Sequence, residues 1–291
     1  PTKNATGGLR LAPAAVPSWW RDIVGTRAYA NSSGASRPFS KRSMARLKLL
    51  GVELDRLTVA DLNQCIAEAI AQGEQRIIAN HNLHSVYLYH RNPRMRAFFA
   101  RARVVHIDGM PLVYWARILG YAVRATERVT YLDWVHPLMA AAQVHGWRVF
   151  YLGGRPGVAA RAAERLRHQY PGLTLEVRHG YFSADENESV LEQLAEFRPN
   201  VLMVGMGMPR QEIWVLENLD RIQANAILTA GACFDYLAGA VPTPPRWMGR
   251  AGLEWLYRLL SEPRRLWRRY LLEPWALAPL FLRDLLTKAA K

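Results

Sequence analysis

The amino-acid sequence predicts an α/β fold: a largely parallel sheet with flanking helices, followed by a basic helical appendage at the C-terminus. Short apolar segments of strand length alternate with longer amphipathic segments, which is the pattern of strand–helix–strand units. Gly, Asn or Asp stands at several joints between these segments. After Ala240 the composition changes to proline and then to Arg, Trp and Leu, which indicates a separate appendage.

The first half of the chain carries three predicted strands and three predicted helices. Thr58 is a suitable N-cap, and Leu62 and Ile66 after it keep helical spacing. Asn80, His81 and Asn82 are expected to form a polar turn after a buried strand. In chain order, we predict a strand over 46–54, a helix over 58–73, a strand over 75–79, a helix over 85–100 that Pro93 interrupts, a strand over 104–107 and a helix over 111–119.

The second half continues the same alternation. In chain order, we predict a helix over 130–146, a strand over 148–152, a helix over 158–169, a strand over 173–178, a helix over 189–197, a strand over 201–205, a helix over 209–218 and a strand over 226–230. Gly146 ends the first of these helices, a position that favours glycine. Helices between successive strands are the crossover connections that parallel strands require.

Length and composition divide the chain into three segments. Residues 1–44 are rich in Ser, Gly, Ala, Pro and basic residues, so we expect them to be disordered or foreign to the natural chain. Residues 45–240 form the predicted α/β domain, and residues 241–291 form the basic amphipathic appendage. The sequence contains no run of about 18 apolar residues, so we expect no membrane-spanning helix.

Net charge indicates the class of partner, and cysteine content indicates the redox compartment. The 291 residues include 38 basic and 24 acidic side chains, a net charge of +14, which favours nucleic acid, acidic lipid or a phosphorylated substrate. Cys65 and Cys233 lack zinc-like spacing, and they indicate a reducing compartment rather than a disulfide framework. His81 and His84 are not spaced as ligands with any acidic cluster, so we expect no bound metal. No cofactor is expected either.

The stretch VVHIDGMPLVYW, residues 104–115, carries the first candidate site residue. A buried strand ends at Asp108, Gly109 permits close approach of another group, and Pro111 can begin a helix. Open α/β sheets bind ligands in the loops at the carboxyl ends of their strands. Asp108 is therefore a candidate for chemistry at this edge, and the alternative is that it only caps the following helix.

Glycine turns and polar side chains follow other predicted strands. Gly153 and Gly154 begin a GGRPG turn whose backbone N–H groups, with the helix dipole, suit a diphosphate. The motif is not GxGxxG and has no Walker lysine, so a plain tight turn is the alternative. Gln211 in GMGMPRQE can donate to and accept from a sugar hydroxyl or a base edge.

Three more polar residues are candidates for ligand contact. Asn80 and Asn82 carry amides suited to sugar recognition, although Asx-turn chemistry is a frequent alternative. Asp235 in GACFDYLAG is either a ligand contact or a residue of helix entry.

The C-terminal segment from Arg246 to Lys291 contains ten basic and four acidic residues, with Trp and Leu interspersed. Arginine with aromatic residues is a pattern that binds single-stranded nucleic acid. The same composition suits a helix lying on a membrane, and it also suits a helix packed on the body. Pro263 and Pro274 divide the segment into short helices, and its many large apolar residues favour membrane docking.

Several ordered motifs resemble those of the WecG/TagA/CpsF glycosyltransferases, a group that includes xanthan-type GumM glucosyltransferases. They span about residues 48–274 and read IDGMPLVYWARILG, ERVTYLDW, VFYLGGRPGVA, RHGYF, VGMGMPRQE, GACFDYLAG and GLEWLYRLLSEPRRLWRRY. The resemblance implies a Rossmann-like catalytic domain, inverting transfer from a nucleotide sugar to a polyprenyl-diphosphate-linked sugar, no required metal, and an appendage that acts at the membrane.

The resemblance also assigns roles to residues. Asp108 matches the family's proposed general base and Gln211 its PxQE glutamine. The basic residues of the family's appendage match Arg258, Arg264, Arg265, Arg268 and Arg269. The chain departs from the family where Asn80-His81-Asn82 replaces a frequent Thr-x-Asn, and where Thr243-Pro244-Pro245 replaces a frequent Arg-Ala-Pro. These departures leave the donor sugar and the acceptor open.

The resemblance implies an enzyme of bacterial exopolysaccharide or cell-envelope polymer synthesis on the cytoplasmic face of the inner membrane. Its donor is expected to be a UDP-sugar, with glucose transferred if the enzyme is GumM-like, and N-acetylmannosamine or N-acetylmannosaminuronic acid as the alternative. The sequence is compatible with a homo-oligomer, and no nucleic-acid partner is expected. Two other classes compete with this interpretation: an NAD(P)-type oxidoreductase that uses the glycine turn, and a nucleic-acid-binding module that uses the basic segment.

Overall fold

The computed structural model describes residues 46–289, apart from the side chains of Arg246 and Arg250. The prediction for residues 1–44 lies outside this range. The described residues form an α/β fold with an eight-stranded, mostly parallel sheet between helices, as predicted.

The body alternates strands and helices. Its elements are β1 (Arg46–Leu49), β2 (Val52–Asp55), α1 (Val59–Gln72), β3 (Arg76–His81), α2 (Leu83–Arg91), α3 (Pro93–Arg101), β4 (Val104–Ile107), α4 (Met110–Ile118), α5 (Tyr131–His145), β5 (Arg148–Gly153), α6 (Val158–Gln169), β6 (Thr174–Arg178), α7 (Asn187–Phe197), β7 (Val201–Gly205), α8 (Arg210–Asn218), β8 (Ala226–Thr229) and α9 (Cys233–Leu237). Short 3₁₀ turns at Ala125–Glu127 and Ala184–Glu186 precede α5 and α7.

The appendage is a series of short helices. Its elements are α10 (Arg246–Arg250), α11 (Glu254–Ser261), α12 (Pro263–Trp267), a π-helical turn (Arg268–Leu272), α13 (Glu273–Ala276) and α14 (Ala278–Ala289). Pro263 and Pro274 each stand in the first turn of a helix, where a missing N–H is tolerated. Pro263 separates α11 from α12 as predicted, whereas the prediction for Pro274 is wrong: the chain is helical without a break from Pro263 to Ala276, and the next break is at Leu277.

The strands lie in the order β1-β2-β4-β3-β8-β7-β5-β6. Only the β1–β2 pair is antiparallel within this sheet, and all other neighbouring pairs are parallel. The carboxyl ends of β3, β4, β5, β7 and β8 therefore meet at one edge. The loops that carry Asp108 and the glycine turns leave from this edge, which is where open α/β sheets bind ligands.

The prediction of a single strand over 46–54 is wrong, because this segment is a two-stranded hairpin. Leu50 and Gly51 form its turn, with φ of 49° and 74°. Positive φ at both central residues is the geometry whose twist matches that of antiparallel strands. The turn was missed because Leu50 is apolar and fully buried, so the run from Leu49 to Val52 contains no polar residue.

Two further boundaries differ from prediction. Asn80 and His81 belong to β3 and pair with β4, although they were predicted to form a turn. Both are buried polar residues at the end of a central strand. Asn80 faces a cavity at the carboxyl edge, whereas the His81 ring hydrogen-bonds to Ser85 Oγ at 2.8 Å and stacks on Phe99. The predicted helix over 85–100 is two helices, and Asn92 both ends α2 and caps α3 through its hydrogen bond to the N–H of Arg94, at 2.9 Å.

Each face of the sheet has its own hydrophobic core. Val149 and Tyr151 of β5 face one core together with Trp134 of α5. Phe150 and Leu152 face the other core. Successive side chains of a strand point to opposite faces, so a strand buried on both sides reads as one unbroken apolar run, as β5 does.

The appendage packs on the body rather than extending from it. Leu277 is buried in the core that α2 and α4 share. The carboxylate of Asp284 in α14 accepts hydrogen bonds from the Leu50 N–H, at 2.5 Å, and from Trp115 Nε1, at 3.3 Å. Glu273 pairs with His84 of α2 at 2.6 Å. The contact with His84 therefore places the appendage beside the carboxyl edge of the sheet, and the contact with Leu50 places α14 at the β1–β2 turn, at the opposite end of β2.

Candidate active site

Two adjoining cavities at the carboxyl edge gather most of the predicted site residues. We call the larger one, of about 890 Å³, the glycine-side cavity, and the smaller one, of about 400 Å³, the central cavity. Of the predicted residues, the glycine-side cavity is lined by Gly154, Asp235, Arg264 and Arg265. The central cavity is lined by Asn80, Asn82, Asp108, Gln211, Arg258, Arg265, Arg268 and Arg269.

Asp108 directly follows β4 and faces the central cavity. Its backbone N–H donates to the His81 carbonyl at 2.9 Å, which holds this loop against the end of β3. Its Oδ2 accepts a hydrogen bond from Asn82 Nδ2 at 3.3 Å. Gly109 is the N-cap of α4, with φ of 114° and no capping side chain, so the structure does not support the alternative that Asp108 serves only as a helix cap.

The pKa of Asp108 is raised above its ordinary value, chiefly because burial disfavours the charged carboxylate. The hydrogen bond from Asn82 and the positive charges of Arg128, Arg258 and Arg269 act in the opposite direction. A carboxylate with these opposing influences is a stronger base than one in water and still has cationic neighbours that favour its ionised form.

The two predicted amides have different surroundings. Asn82 caps α2 by accepting from the Ser85 N–H at 3.1 Å, while its Nδ2 holds Asp108. Asn82 is thus both an Asx-type cap and a site residue. Asn80 is buried, and its Oδ1 has no hydrogen-bond partner within residues 46–289. Because a buried polar atom without a partner is costly, Asn80 is available to a ligand in the central cavity.

Tyr131, at the start of α5, was not among the predicted site residues. It lines the central cavity, and its buried hydroxyl also lacks a partner in the described part of the chain. Burial raises the pKa of Tyr131 further above its ordinary value, so the hydroxyl stays protonated and can donate. Its position inside the motif ERVTYLDW was the only sequence signal for it.

Gln211 joins two glycine turns. Its Oε1 accepts from the backbone N–H of Gly207 and of Gly231, both at 3.2 Å. Its Nε2 donates to Glu212 Oε1 at 2.7 Å. The amide that was predicted to contact substrate is therefore used largely to fix the loops after β7 and β8, and Gln211 is fully buried.

Glu212, the neighbour of Gln211, was also not among the predicted site residues. It is buried, its Oε2 has no partner among residues 46–289, and burial raises its pKa to about 7. The hydrogen bond from Gln211 limits this rise. The sequence indicated only a glutamate in a first helical turn, where interaction with the helix dipole is the usual role.

The glycine-side cavity lies beside the ends of β5, β7 and β8. Gly154 lines it, whereas Gly153 is the last residue of β5 and contacts β7 so closely that a Cβ atom would collide with the Gly205 carbonyl. Gly153 therefore serves close strand packing. Arg155, Arg161 and Arg210, none of them predicted, also line this cavity.

Asp235 lies in the first turn of α9 and also lines the glycine-side cavity, so both of its predicted roles fit its position. Burial raises its pKa, while Arg155 and Arg265 lower it. Within residues 46–289, no three His, Cys, Asp or Glu side chains gather as metal ligands. No helix in the same range combines the length and apolar character needed to cross a bilayer.

The five predicted arginines of the appendage divide between the two cavities. Arg258 of α11 and Arg269 of the π-helical turn lie near enough to Asp108 to influence its pKa. Arg264 faces the glycine-side cavity, Arg268 faces the central cavity and Arg265 lines both. Excess positive charge along this glycine-rich edge suits a diphosphate.

A comparison with protein families identifies the chain. Residues 47–291 match the model described as the glycosyl transferase WecG/TagA/CpsF family. The match covers the sheet, both cavities and the appendage, and it favours sugar transfer over the oxidoreductase and nucleic-acid-binding interpretations. The protein belongs to the WecG/TagA/CpsF family: it is a glycosyltransferase of cell-envelope polymer synthesis, which uses a nucleotide-sugar donor and a sugar acceptor.

Proposed function

We propose that this glycosyltransferase moves a hexose from a UDP-sugar, with inversion and without a metal, to a saccharide carried on polyprenyl diphosphate. The transferred sugar is glucose if the enzyme is GumM-like, and N-acetylmannosamine or N-acetylmannosaminuronic acid is the alternative. The polymer is an exopolysaccharide or another bacterial envelope polymer. The observation that carries this proposal is the position of Asp108, a buried carboxylate in a cavity that adjoins a second, arginine-lined cavity.

The donor diphosphate fits the glycine-side cavity. The loops after β5, β7 and β8 bring Gly154, Gly207 and Gly231 to its wall, where backbone can approach a phosphate closely. Arg155 and Arg210 supply positive charge beside them. In transfer without a metal, these groups neutralise the negative charge that develops on the leaving diphosphate.

The donor sugar then extends into the central cavity. Asn80 Oδ1 and the Tyr131 hydroxyl, both buried without protein partners among the described residues, can accept from and donate to its hydroxyl groups. Burying polar groups that only the correct substrate satisfies is an effective source of specificity.

Asp108 acts as the general base. It removes the proton of the acceptor hydroxyl as that oxygen bonds to the anomeric carbon, while the bond from this carbon to the diphosphate oxygen breaks and UDP leaves with the electron pair. Attack on the face opposite the leaving group inverts the anomeric centre. Asn82 holds the Asp108 carboxylate through the 3.3 Å hydrogen bond, so the base is oriented before substrate binds.

A screen of nucleotide sugars tests the proposed function. Purified protein is incubated with UDP- and GDP-linked glucose, N-acetylmannosamine and N-acetylmannosaminuronic acid, together with a lipid-diphosphate-linked saccharide. Mass spectrometry detects the extended lipid, and NMR reads the anomeric configuration. We expect one UDP-sugar to be transferred with inversion. Transfer with retention, or transfer from GDP-sugars alone, would contradict the proposal.

Activity is expected to survive removal of divalent metal ions. The diphosphate charge is met by arginines and backbone N–H groups in this proposal, so neither Mg²⁺ nor Mn²⁺ is needed at the donor. Initial rates should be equal within error in excess EDTA and in added Mg²⁺. An EDTA-inhibited enzyme that Mg²⁺ or Mn²⁺ restores would show that the arginines do not suffice.

The appendage is proposed to dock the enzyme peripherally on the cytoplasmic face of the bacterial inner membrane. Trp267, Leu271 and Trp275 are exposed, the last to 77%. They stand four residues apart, which places them on one side of a helical segment. Leu282 and Leu286 of α14 are also exposed. Large apolar residues combined with basic ones are typical of segments that lie in the membrane interface.

Replacing Leu271 and Trp275 by serine is expected to weaken membrane binding without unfolding the protein. Both side chains are largely exposed, and burial of a large apolar side chain contributes roughly 1.5–3 kcal/mol. Co-sedimentation with vesicles containing anionic lipid should therefore fall at least about tenfold. Val144→Ser, at another exposed apolar position in the body, is the control and should bind as wild type does. A folded double variant that still sediments normally would disprove docking through this surface.

Deleting the segment from Gly252 onward should lower vesicle binding and transfer together. The buried contacts of Leu277 and Asp284 show that the segment also supports the body, so circular dichroism and melting temperature must accompany this deletion. Replacement of Arg264, Arg265, Arg268 and Arg269 by alanine is expected to weaken both vesicle binding and transfer. The effect should be larger at low salt, because screening by salt reduces attraction to anionic lipid. Unchanged sedimentation of the folded arginine variant would show that these charges do not contribute to docking.

A further inference from the structure

A third cavity lies beside Asp108 and is bounded by the appendage. Its volume is about 250 Å³, and we call it the outer cavity. Its lining includes Asn82, Asp108, Glu254, Trp255, Arg258 and Arg269. It adjoins the central cavity, because the linings of the two cavities share Asn82, His84, Asp108, Glu254, Arg258 and Arg269, and Asp108 stands where they meet.

The outer cavity combines flat apolar walls with acidic and amide groups. Trp255 and Tyr270 contribute two rings whose centroids are 6.1 Å apart, and Trp255 is 36% exposed. The carboxylates of Asp108 and Glu254 stand in the same lining. A pyranose has one face of C–H groups that packs on an aromatic ring and an equatorial rim of hydroxyl groups that donate to carboxylates. Aromatic walls with a few placed polar groups are typical of small-ligand sites.

Glu254 is held in place from the body. Arg128, which precedes α5, donates from Nη1 to Glu254 Oε2 at 3.3 Å and from Nη2 to Asp133 Oδ2 at 3.2 Å. Arg128 thus fixes the first residue of α11, and with it the adjacent Trp255, relative to Asp108. A recognition surface set by a rigid contact loses less entropy when a ligand binds.

Two guanidinium groups stand where the outer and central cavities meet. Arg258 and Arg269 line both, and Arg269 Nε is buried without a partner in the described range. A ligand in the outer cavity therefore has cations at its inner end and an aromatic wall on its side. This arrangement fits a sugar attached to a diphosphate better than it fits a free sugar.

We propose that the outer cavity is the subsite for the acceptor's terminal pyranose, with Trp255 as its stacking platform and Glu254 as a ligand of its hydroxyl groups. This inference rests on the proposed function. The donor occupies the glycine-side and central cavities, so an acceptor in the outer cavity brings its hydroxyl to Asp108 where the outer and central cavities meet. Trp255 then determines affinity for the acceptor sugar without contributing to donor binding.

Binding of matched synthetic lipids tests this subsite independently of transfer. The probes are an eleven-carbon alkyl diphosphate without sugar, and the same lipid bearing glucose, N-acetylglucosamine or glucuronic acid. For wild-type protein, at least one sugar should strengthen binding over the sugarless lipid. In Trp255→Ala, we expect that gain to disappear, with about tenfold weaker binding of the sugar-bearing lipid and unchanged binding of the sugarless one. Trp255→Phe, which keeps a flat ring, should restore most of the affinity that the sugar adds.

Trp247→Ala is the matched control, because Trp247 is an exposed tryptophan of the appendage outside the outer-cavity lining. It should bind all four lipids as wild type does. In transfer assays, Trp255→Ala should raise KM for the acceptor and leave KM for the UDP-sugar unchanged. Equal weakening of sugar-bearing and sugarless lipids would overturn the inference, since Trp255 would then contact the lipid chain. Failure of the wild type to discriminate any sugar would overturn it as well.

Different results would refute the proposed reaction and the proposed acceptor subsite. Absence of transfer from every UDP-sugar, with sugar-dependent lipid binding intact, would refute the proposed reaction and leave the subsite standing. Transfer by a Trp255→Ala enzyme with unaltered acceptor KM would refute the subsite and leave the reaction standing.

Discussion

Replacing Asp108 by asparagine is expected to leave the protein folded and to lower the transfer rate by about 10²–10⁴-fold, the usual contribution of a general base. The amide has nearly the shape of the carboxylate and can still lie against Asn82, but it cannot take the proton of the acceptor hydroxyl. The loss should appear in kcat at saturating donor and acceptor. Melting temperature and nucleotide binding should stay close to wild type.

The pH dependence of the wild-type rate provides a second test of Asp108. Protonation removes the base, so the rate should rise with pH, with a midpoint above the ordinary value for aspartate because burial raises the pKa of Asp108. Asp220→Asn, at an exposed carboxylate, is the control and should keep both rate and profile. A folded Asp108→Asn protein with wild-type turnover would exclude Asp108 as the base.

Replacing Glu212 by glutamine is expected to change how stability depends on pH. Burial raises the pKa of Glu212 in the folded protein to about 7, from about 4.5 when unfolded. A raised carboxyl pKa means that the folded state holds the proton more tightly. The contribution of the Glu212 proton to the free energy of unfolding is thus complete below about pH 4.5 and is lost as the pH rises through about 7. A shift of this size corresponds to roughly 3 kcal/mol.

Urea unfolding at pH 5 and pH 8 measures this effect. The wild-type free energy of unfolding should fall between these values by up to about 3 kcal/mol more than that of Glu212→Gln. Glutamine keeps an oxygen for the Gln211 amide and has no charge to bury. Glu196→Gln, at an exposed position in α7, should retain the wild-type pH dependence. Identical pH profiles in Glu212→Gln and wild type would show that Glu212 titrates as an ordinary carboxyl group.

The predicted and observed folds agree where local pattern determines structure. The strands over 104–107 and 201–205 and the helix over 158–169 have the predicted bounds, because buried parallel strands form short apolar runs and the helix keeps a 3.6-residue period. The hairpin at Leu50 and Gly51 was missed, because a buried turn residue looks like strand in an apolar run. Asn80 and His81 were assigned to a turn, because polarity in a strand end resembles polarity in a loop.

The candidate site likewise contains residues that the sequence predicted and residues that it did not. Asp108 was predicted because its position after a strand is visible in the sequence, and the family motifs located Gln211 and the appendage arginines. Tyr131, Glu212 and Trp255 were missed as site residues, because tyrosine, glutamate and tryptophan in helices have ordinary structural uses. Tyr131 and Glu212 stand out because each has a buried oxygen without a hydrogen-bond partner among the described residues. Trp255 stands out because it lines a cavity together with Asp108. Neither property can be read from a short stretch of sequence.

The sequence alone determined the α/β class, the parallel connections, the basic appendage and the family, because these depend on periodicity, composition and ordered motifs within short windows. Tertiary structure alone decided that Gln211 ties two glycine turns together and that the appendage closes over Asp108. It also set the burial that raises the pKa values of Asp108 and Glu212. These properties depend on atoms brought together from distant parts of the chain, and desolvation and unmet hydrogen bonds exist only once those parts have packed.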